Sequence, residues 1–166
     1  TDLSERGDRH GTGTVRAATI SAIDPQSGRE VHRLTAGRDV VFQIAYRAPG
    51  GDRPQNVSVE LTFFTEAGQF VMALNNRVST RVFHSLPTDG VLSCRVPRLP
   101  LMSGSFPVKL TMKTDEVIAD QVHRAAVFDV DPGDFFGTGV THPSRHQGVY
   151  VPHEWHAPDE ADRAAA

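Results

Sequence analysis

The sequence predicts an all-β fold, an antiparallel β-sandwich of the jelly-roll or immunoglobulin-like kind. Segments with a period of two recur along the chain, the clearest running from Val40 to Arg47. Fourteen glycines and eleven prolines cut the 166 residues into pieces too short for a helix bundle. Strands do not alternate with long helical patterns, which argues against a parallel α/β fold.

Thr1 to His10 is polar and charged, and is expected to be a mobile lead-in over residues 1–10. Gly11-Thr12-Gly13 precedes a first strand over Thr14 to Ile23, and Asp24-Pro25-Gln26-Ser27-Gly28 is a turn. Glu30 to Leu34 reads as a short strand. Between Asp39 and Arg47, Val40, Phe42, Ile44 and Tyr46 face inward. Asn56 to Thr65 alternates again, with Val57, Val59, Leu61 and Phe63 inward and Ser58, Glu60 and Thr62 outward. Glu66 to Gln69 is a hairpin turn, and Phe70 to Leu74 returns antiparallel. Asn75-Asn76 breaks the pattern, and Val78 to Phe83 is either a strand or an irregular excursion. Val91 to Val96 follows, with Leu92, Cys94 and Val96 inward.

The stretch Pro97 to Phe106 joins two strands. Pro97 and Pro100 stop a ladder because they lack the N–H donor. Leu99 and Leu101 are expected to plug the end of the core while the chain crosses from one sheet to the other. Phe106 to Thr114 then alternates, with Lys109 and Thr111 outward, and Val117 to Val130 returns after a turn. Gly148 to Trp155 is expected to be a last short strand. The sandwich thus spans residues 11–156, and 157–166, acidic and Ala-rich, is expected to be disordered.

Composition narrows the function. Seventeen basic and twenty acidic residues give a formal charge of -3, which offers no basis for binding nucleic acid or an anionic membrane surface. No apolar run is long enough to span a bilayer, and the polar start carries no signal peptide. Cys94, the sole cysteine, cannot form an internal disulfide and is expected to be buried.

Several constellations were weighed for chemistry. His142 and His146, and His153 and His156, have metal-like spacing, but Pro143 and Pro152 disfavour a helix and no cysteine pair joins them, so no metal site and no cofactor is expected. There is no G-x-S-x-G elbow. Glu60 and Asp129 are candidates for a glycosidase pair, with two solvated strand residues as the simpler reading. Gly11-Thr12-Gly13 and Gly137-Thr138-Gly139 open no helix, and no G-x-x-x-x-G-K-[ST] occurs, so the chain by itself should not hydrolyse ATP. Trp155 suits sugar stacking or, preferably, an apolar anchor.

Taken together, several segments resemble one family. They are Gly11-Thr12-Gly13; Ala36-Gly37-Arg38-Asp39-Val40; the Val57 to Phe64 strand with the Gly68 turn; Leu99-Pro100-Leu101-x-x-Gly104-x-Phe106; Ala126-x-Phe128-x-Val130; and Gly139, Gly148-Val149 and Trp155. In order and spacing, from about Arg9 to Trp155, they resemble the C-terminal carbohydrate-binding domain on the ATP-binding subunit of bacterial ABC transporters that export O-antigen and related polysaccharides, the Wzt type. The resemblance implies a jelly roll that recognises an undecaprenyl-linked glycan in the cytoplasm, at the inner face of the plasma membrane, on a concave sheet face. It implies partners in an ATPase domain and a transmembrane subunit, the former absent from this sequence as expected of an excised fragment. It also implies a homodimer made by exchange of a C-terminal strand.

Outward Ser58, Glu60, Thr62, Lys109 and Thr111 offer hydroxyls, a carboxylate and an ammonium suited to sugar hydroxyls. Val149, Val151 and Trp155 are the expected dimer contacts. The alternatives are a dimerisation or protein-interaction sandwich without a sugar site, and a glycan-active enzyme.

Overall fold

The computed structural model describes residues 1–142 and 148–158. Among the described residues, eleven strands form two facing sheets, with one short helix beside them. The four-stranded sheet comprises β2 (Arg16–Ile23), β3 (Glu30–Val31), β5 (Val40–Arg47) and β9 (Asp89–Val96), in the order β3-β2-β5-β9. The seven-stranded sheet is built on β1 (Arg9–His10), β11 (Val117–Asp131), β10 (Gly104–Thr114), β6 (Gln55–Phe64) and β7 (Phe70–Asn75), in that order. Two short strands, β4 (Arg33–Thr35) and β8 (Phe83–Ser85), pair with β11 and β6. All pairings are antiparallel except β4 with β11, which is parallel.

The core forms where the two alternating patterns meet. Val40, Phe42, Ile44 and Tyr46 of one sheet face Val57, Leu61, Phe63, Phe106, Val108 and Leu110 of the other, and all are buried. Phe42, Phe63 and Phe128 pack as a trio, with ring centroids 5.2 to 6.4 Å apart. Each such ring removed from water contributes about 1.5–3 kcal/mol. The crossing after β9 behaves as its residues dictate. Leu99 and Leu101 are fully buried, and the Leu99 backbone bonds both Arg38 and Gly37.

Two expectations are corrected, and one open alternative is decided. The first ten residues do not trail. Thr1 and Ile20 exchange backbone bonds, Asp2 bridges Thr19 and Leu3 is fully buried, so the segment runs beside β2 and then crosses to β11 as β1. The reason is an ion pair hidden in the polar stretch. Arg9 forks onto Asp120 at 2.9 and 2.5 Å, with side-chain exposures of 8% and 2%. Gly11, at φ +123°, continues the approach, since a Cβ there would lie 2.5 Å from the Ala119 backbone. Second, the region after β7 turns into α1 (Asn76–Ser79), capped by the Asn75 side chain, because Asn76 takes over as the partner of β6. Its amide accepts from Val59 N–H at 2.8 Å and donates to Val57 C=O at 3.1 Å. Third, residues 148–155 form no strand: one bridge, Leu101 with Val149, holds them. Residues 143–147 and 159–166, with His146 and most of the expected tail, lie outside the described residues. Among the described residues no helix is long and apolar enough to cross a membrane.

Removing one partner of the buried pair should strand the other charge. Asp120→Ala is expected to cost about 3–5 kcal/mol in denaturant unfolding. The double replacement Arg9→Met/Asp120→Leu should recover only part of that loss: it leaves no unpaired charge, but the Ala17 N–H and the Leu3 and Ala17 carbonyls lose their partners.

Candidate functional site

The seven-stranded sheet has one face on the core and the other turned away from it. Period-two alternation puts Ser58, Glu60 and Thr62 of β6 on the outer face. On β10 the antiparallel register sets Lys109 opposite Thr62, Thr111 opposite Glu60 and Lys113 opposite Ser58. The five expected residues are therefore brought together on neighbouring strands. Their setting differs from the solvated face that alternation alone suggests. Ser58, Thr62 and Thr111 are only 9%, 4% and 8% exposed, while Glu60 and Lys109 are half-buried. The small hydroxyl side chains sit low between longer neighbours.

Glu60 is the fixed point of this face. Its Oε1 accepts from Thr62 Oγ1 at 3.0 Å, and its Oε2 accepts from Asn75 Nδ2 at 2.8 Å. The Asn75 Oδ1 is meanwhile held by Arg77 N–H as the cap of α1, so the amide cannot turn freely. Across β10, Gln121 of β11 donates to Thr111 Oγ1 at 3.2 Å. Lys109 Nζ lies 5.8 Å from the centre of the Phe64 ring, and Phe64 meets Phe70 edge-on at 6.4 Å. Each carboxylate oxygen of Glu60 retains a lone pair, and an ammonium has three donors. A rigid row of acceptors and donors of this kind matches the alternating hydroxyls of a sugar.

The same register separates the two carboxylates considered for glycoside cleavage. Glu60 is opposite Thr111 on β10, and Asp129 is opposite Ser105. Six residues of strand set them about 20 Å apart, whereas glycosidase pairs lie within about 10 Å. Asp129 is engaged instead by the Ser105 hydroxyl and by Arg33.

Two concavities lie elsewhere. The flank between β7 and β9 opens into a cleft of about 680 Å³, walled by Leu61, Leu74, Phe83, Leu92 and Val96 with Glu60 and Asn75 at its margin. Cys94 lines it, half-buried, and burial pushes its thiol above the ordinary cysteine range, which disfavours the reactive thiolate. A smaller pocket of about 460 Å³ is lined by Asp24, Arg33, Arg38 and Asp39 among others. None of the five expected residues but Glu60 borders either space.

Beside the smaller pocket, past Gly37, is an aromatic corner. Phe135 stacks on Tyr150 at 5.0 Å under the Arg98 guanidinium, and Phe136 meets His153 edge-on at 5.2 Å. Val149 and Val151 are exposed, and Trp155, 89% exposed, touches only the edge of His153 among the ring contacts of the described residues.

A family model described as the Wzt C-terminal domain matches residues 6–143. The chain belongs to that family. The matched span contains every strand of both sheets and the whole polar face. A crystal structure of the C-terminal domain of Wzt superposes with a TM-score of 0.70 at 14% identity, covering 92% of this chain and 90% of the other, so the Wzt C-terminal domain fold is shared throughout. An immunoglobulin-like protein from Pseudomonas aeruginosa gives a TM-score of 0.39 at 12% identity, covering 76% of this chain and 99% of its own. A CARDB domain from Pyrococcus furiosus, solved with di-metal ions, gives 0.40 at 11% identity, covering 79% and 100%. No curated protein sequence matches the chain.

Sequence reasoning missed Asn75, Gln121 and Phe70. The signal for Phe70 lay in the hairpin: counting back from the Gly68 turn sets Phe70 against Phe64, whereas Asn75 comes opposite Glu60 only beyond a one-residue bulge that the sequence pattern does not mark. Gln121 gave no such signal, because a register shift between Ile118 and Asp120 uncouples its face from its distance to the turn.

Proposed function

We propose that this Wzt C-terminal domain binds a polysaccharide without catalysis, on the outer face of its larger sheet. The observation that carries the reading is Glu60, a carboxylate immobilised by Thr62 and Asn75 in a row of half-sunken polar side chains with Lys109 and Thr111. Pre-setting the polar groups reduces the ordering cost of binding a flexible glycan. In the setting implied by the family, the ligand is an undecaprenyl-linked O-antigen or similar cell-surface glycan. The domain recognises it for an ABC exporter at the cytoplasmic face of the membrane. ATP hydrolysis then belongs to the ATPase domain of that exporter, since this sequence has no phosphate loop. The distance between Glu60 and Asp129 speaks against the enzymatic alternative.

Binding should be visible on an array of bacterial O-polysaccharides and measurable by titration calorimetry. Glu60→Gln keeps the shape and one acceptor but removes the charge. It should weaken binding by about tenfold or more with little change in melting temperature. Wild-type protein that binds no polysaccharide, or a Glu60→Gln variant that binds as tightly as wild type, contradicts the assignment.

The domain is further proposed to work as a homodimer through residues 148–155. What supports this is the state of Val149, Val151 and Trp155: exposed apolar side chains on a segment docked by the Tyr150 ring on Phe135 and by a single bridge, whose two backbone bonds run from Met102 N–H to Gly148 C=O and from Tyr150 N–H to Pro100 C=O. Exchange would form the same bonds between chains, and two copies would bind a repeating glycan with avidity. Sedimentation of a chain ending at Gln147 should give a monomer or an aggregate, and Trp155→Ala should weaken the dimer. A dimer of undiminished stability without the segment excludes the exchange.

A further inference from the structure

The exposed aromatic surface at the β6–β7 turn is not accounted for by the core. Phe70 is 64% exposed, although a hairpin end needs no aromatic residue. The bulge between Phe63 and Phe64 is what puts it there. Without the extra residue, Phe70 would share the inward side of Met72 and Leu74; with it, Phe70 faces outward beside Phe64. The two rings meet edge to face, at 84°. In that arrangement the edge of one ring is used and a flat face of the exposed ring is left open. Lys109 stands beside Phe64, with its ammonium 5.8 Å from the ring centre, between the aromatic pair and the polar row.

We propose that Phe64 and Phe70 form an aromatic stacking subsite that continues the polar face, so that the ligand spans at least two linked pyranose units. This rests on the carbohydrate reading and deepens it. The chemistry follows from the two halves of a pyranose. Its hydroxyl rim suits Glu60, Asn75 and Thr111, whereas its C–H face suits the flat, weakly negative face of a phenyl ring. From Glu60 to Phe64 is four residues of strand, about 13 Å, more than one pyranose ring spans. A ligand that uses both ends therefore has at least two sugars and a linkage over Thr62 and Lys109. Lys109, already turned toward Phe64, is placed to donate to the ring or linkage oxygens there.

The test is titration calorimetry with linear manno-, gluco- and galacto-hexaoses and with the matching methyl monoglycosides. Wild type should bind one hexaose more tightly than its methyl glycoside. Phe70→Ala should weaken the hexaose by about five- to tenfold and leave the monoglycoside unchanged, while Phe70→Trp should hold or tighten it. Phe70→Leu keeps apolar cover without a flat face, and should fail to restore binding. Because Phe70 is exposed, circular dichroism should show all three variants folded. If Phe70→Ala binds the hexaose like wild type while Glu60→Gln weakens it, the stacking subsite is wrong and the polar site stands. Full rescue by leucine also rejects stacking. If wild type binds neither these probes nor any polysaccharide of the O-polysaccharide array, the carbohydrate reading itself fails and the subsite with it; if it binds only an array polysaccharide, the same Phe70 and Glu60 variants are compared on that ligand, and undiminished binding by Phe70→Ala rejects the subsite.

Discussion

The Arg9–Asp120 pair holds the two sheets in one arrangement at the β1–β2 flank. Asp120 reaches inward from β11 and accepts from the Ala17 N–H of β2 as well as from Arg9. Arg9 in turn donates to the carbonyls of Leu3 and Ala17. One guanidinium and one carboxylate thus satisfy polar groups from the leading segment, the smaller sheet and the larger sheet. Desolvation offsets much of the attraction between such charges, so the pair contributes position more than net stability. Its position matters because Asp120 is the residue before Gln121. Fixing β11 inward at 120 turns Gln121 outward, onto Thr111 of the polar face.

The opposite flank is arranged differently. There β7 ends at Asn75, and Asn76 completes the pairing of β6 with its own side chain instead of a backbone. The same break supplies Asn75, which caps α1 with one atom and holds Glu60 with the other. An interruption of the sheet is therefore what immobilises the Glu60 carboxylate. The flank left partly open by it becomes the apolar cleft beside Cys94, and the polar and apolar surfaces share Glu60 as their boundary.

Much of this was legible in the sequence where local pattern decides structure. Val40 to Arg47 and Phe106 to Met112 alternate cleanly because each strand is buried on one face, and the leucines of the crossing could only be core. Alternation alone turned Ser58, Glu60, Thr62, Lys109 and Thr111 outward; that β6 pairs with β10, and so groups them, is visible only in the structure. What stayed hidden depends on partners distant in sequence. Arg9 and Asp120 lie 111 residues apart, and nothing near Arg9 marks it as buried. The low exposure of Thr62 and Thr111 reflects the height of their neighbours across strands, which alternation does not encode. Residues 148–155 carry β-forming side chains, yet find only the irregular crossing to bridge.

The account stands on the outer face of the larger sheet being where the glycan lies. Amide chemical-shift mapping of the labelled domain, titrated with an O-polysaccharide that it binds, tests this most directly. The account predicts that the largest shifts fall on Glu60, Thr62, Asn75, Lys109, Thr111 and Gln121. Shifts confined to the cleft around Leu92 and Cys94, or to the aromatic corner from Phe135 to Trp155, would contradict it.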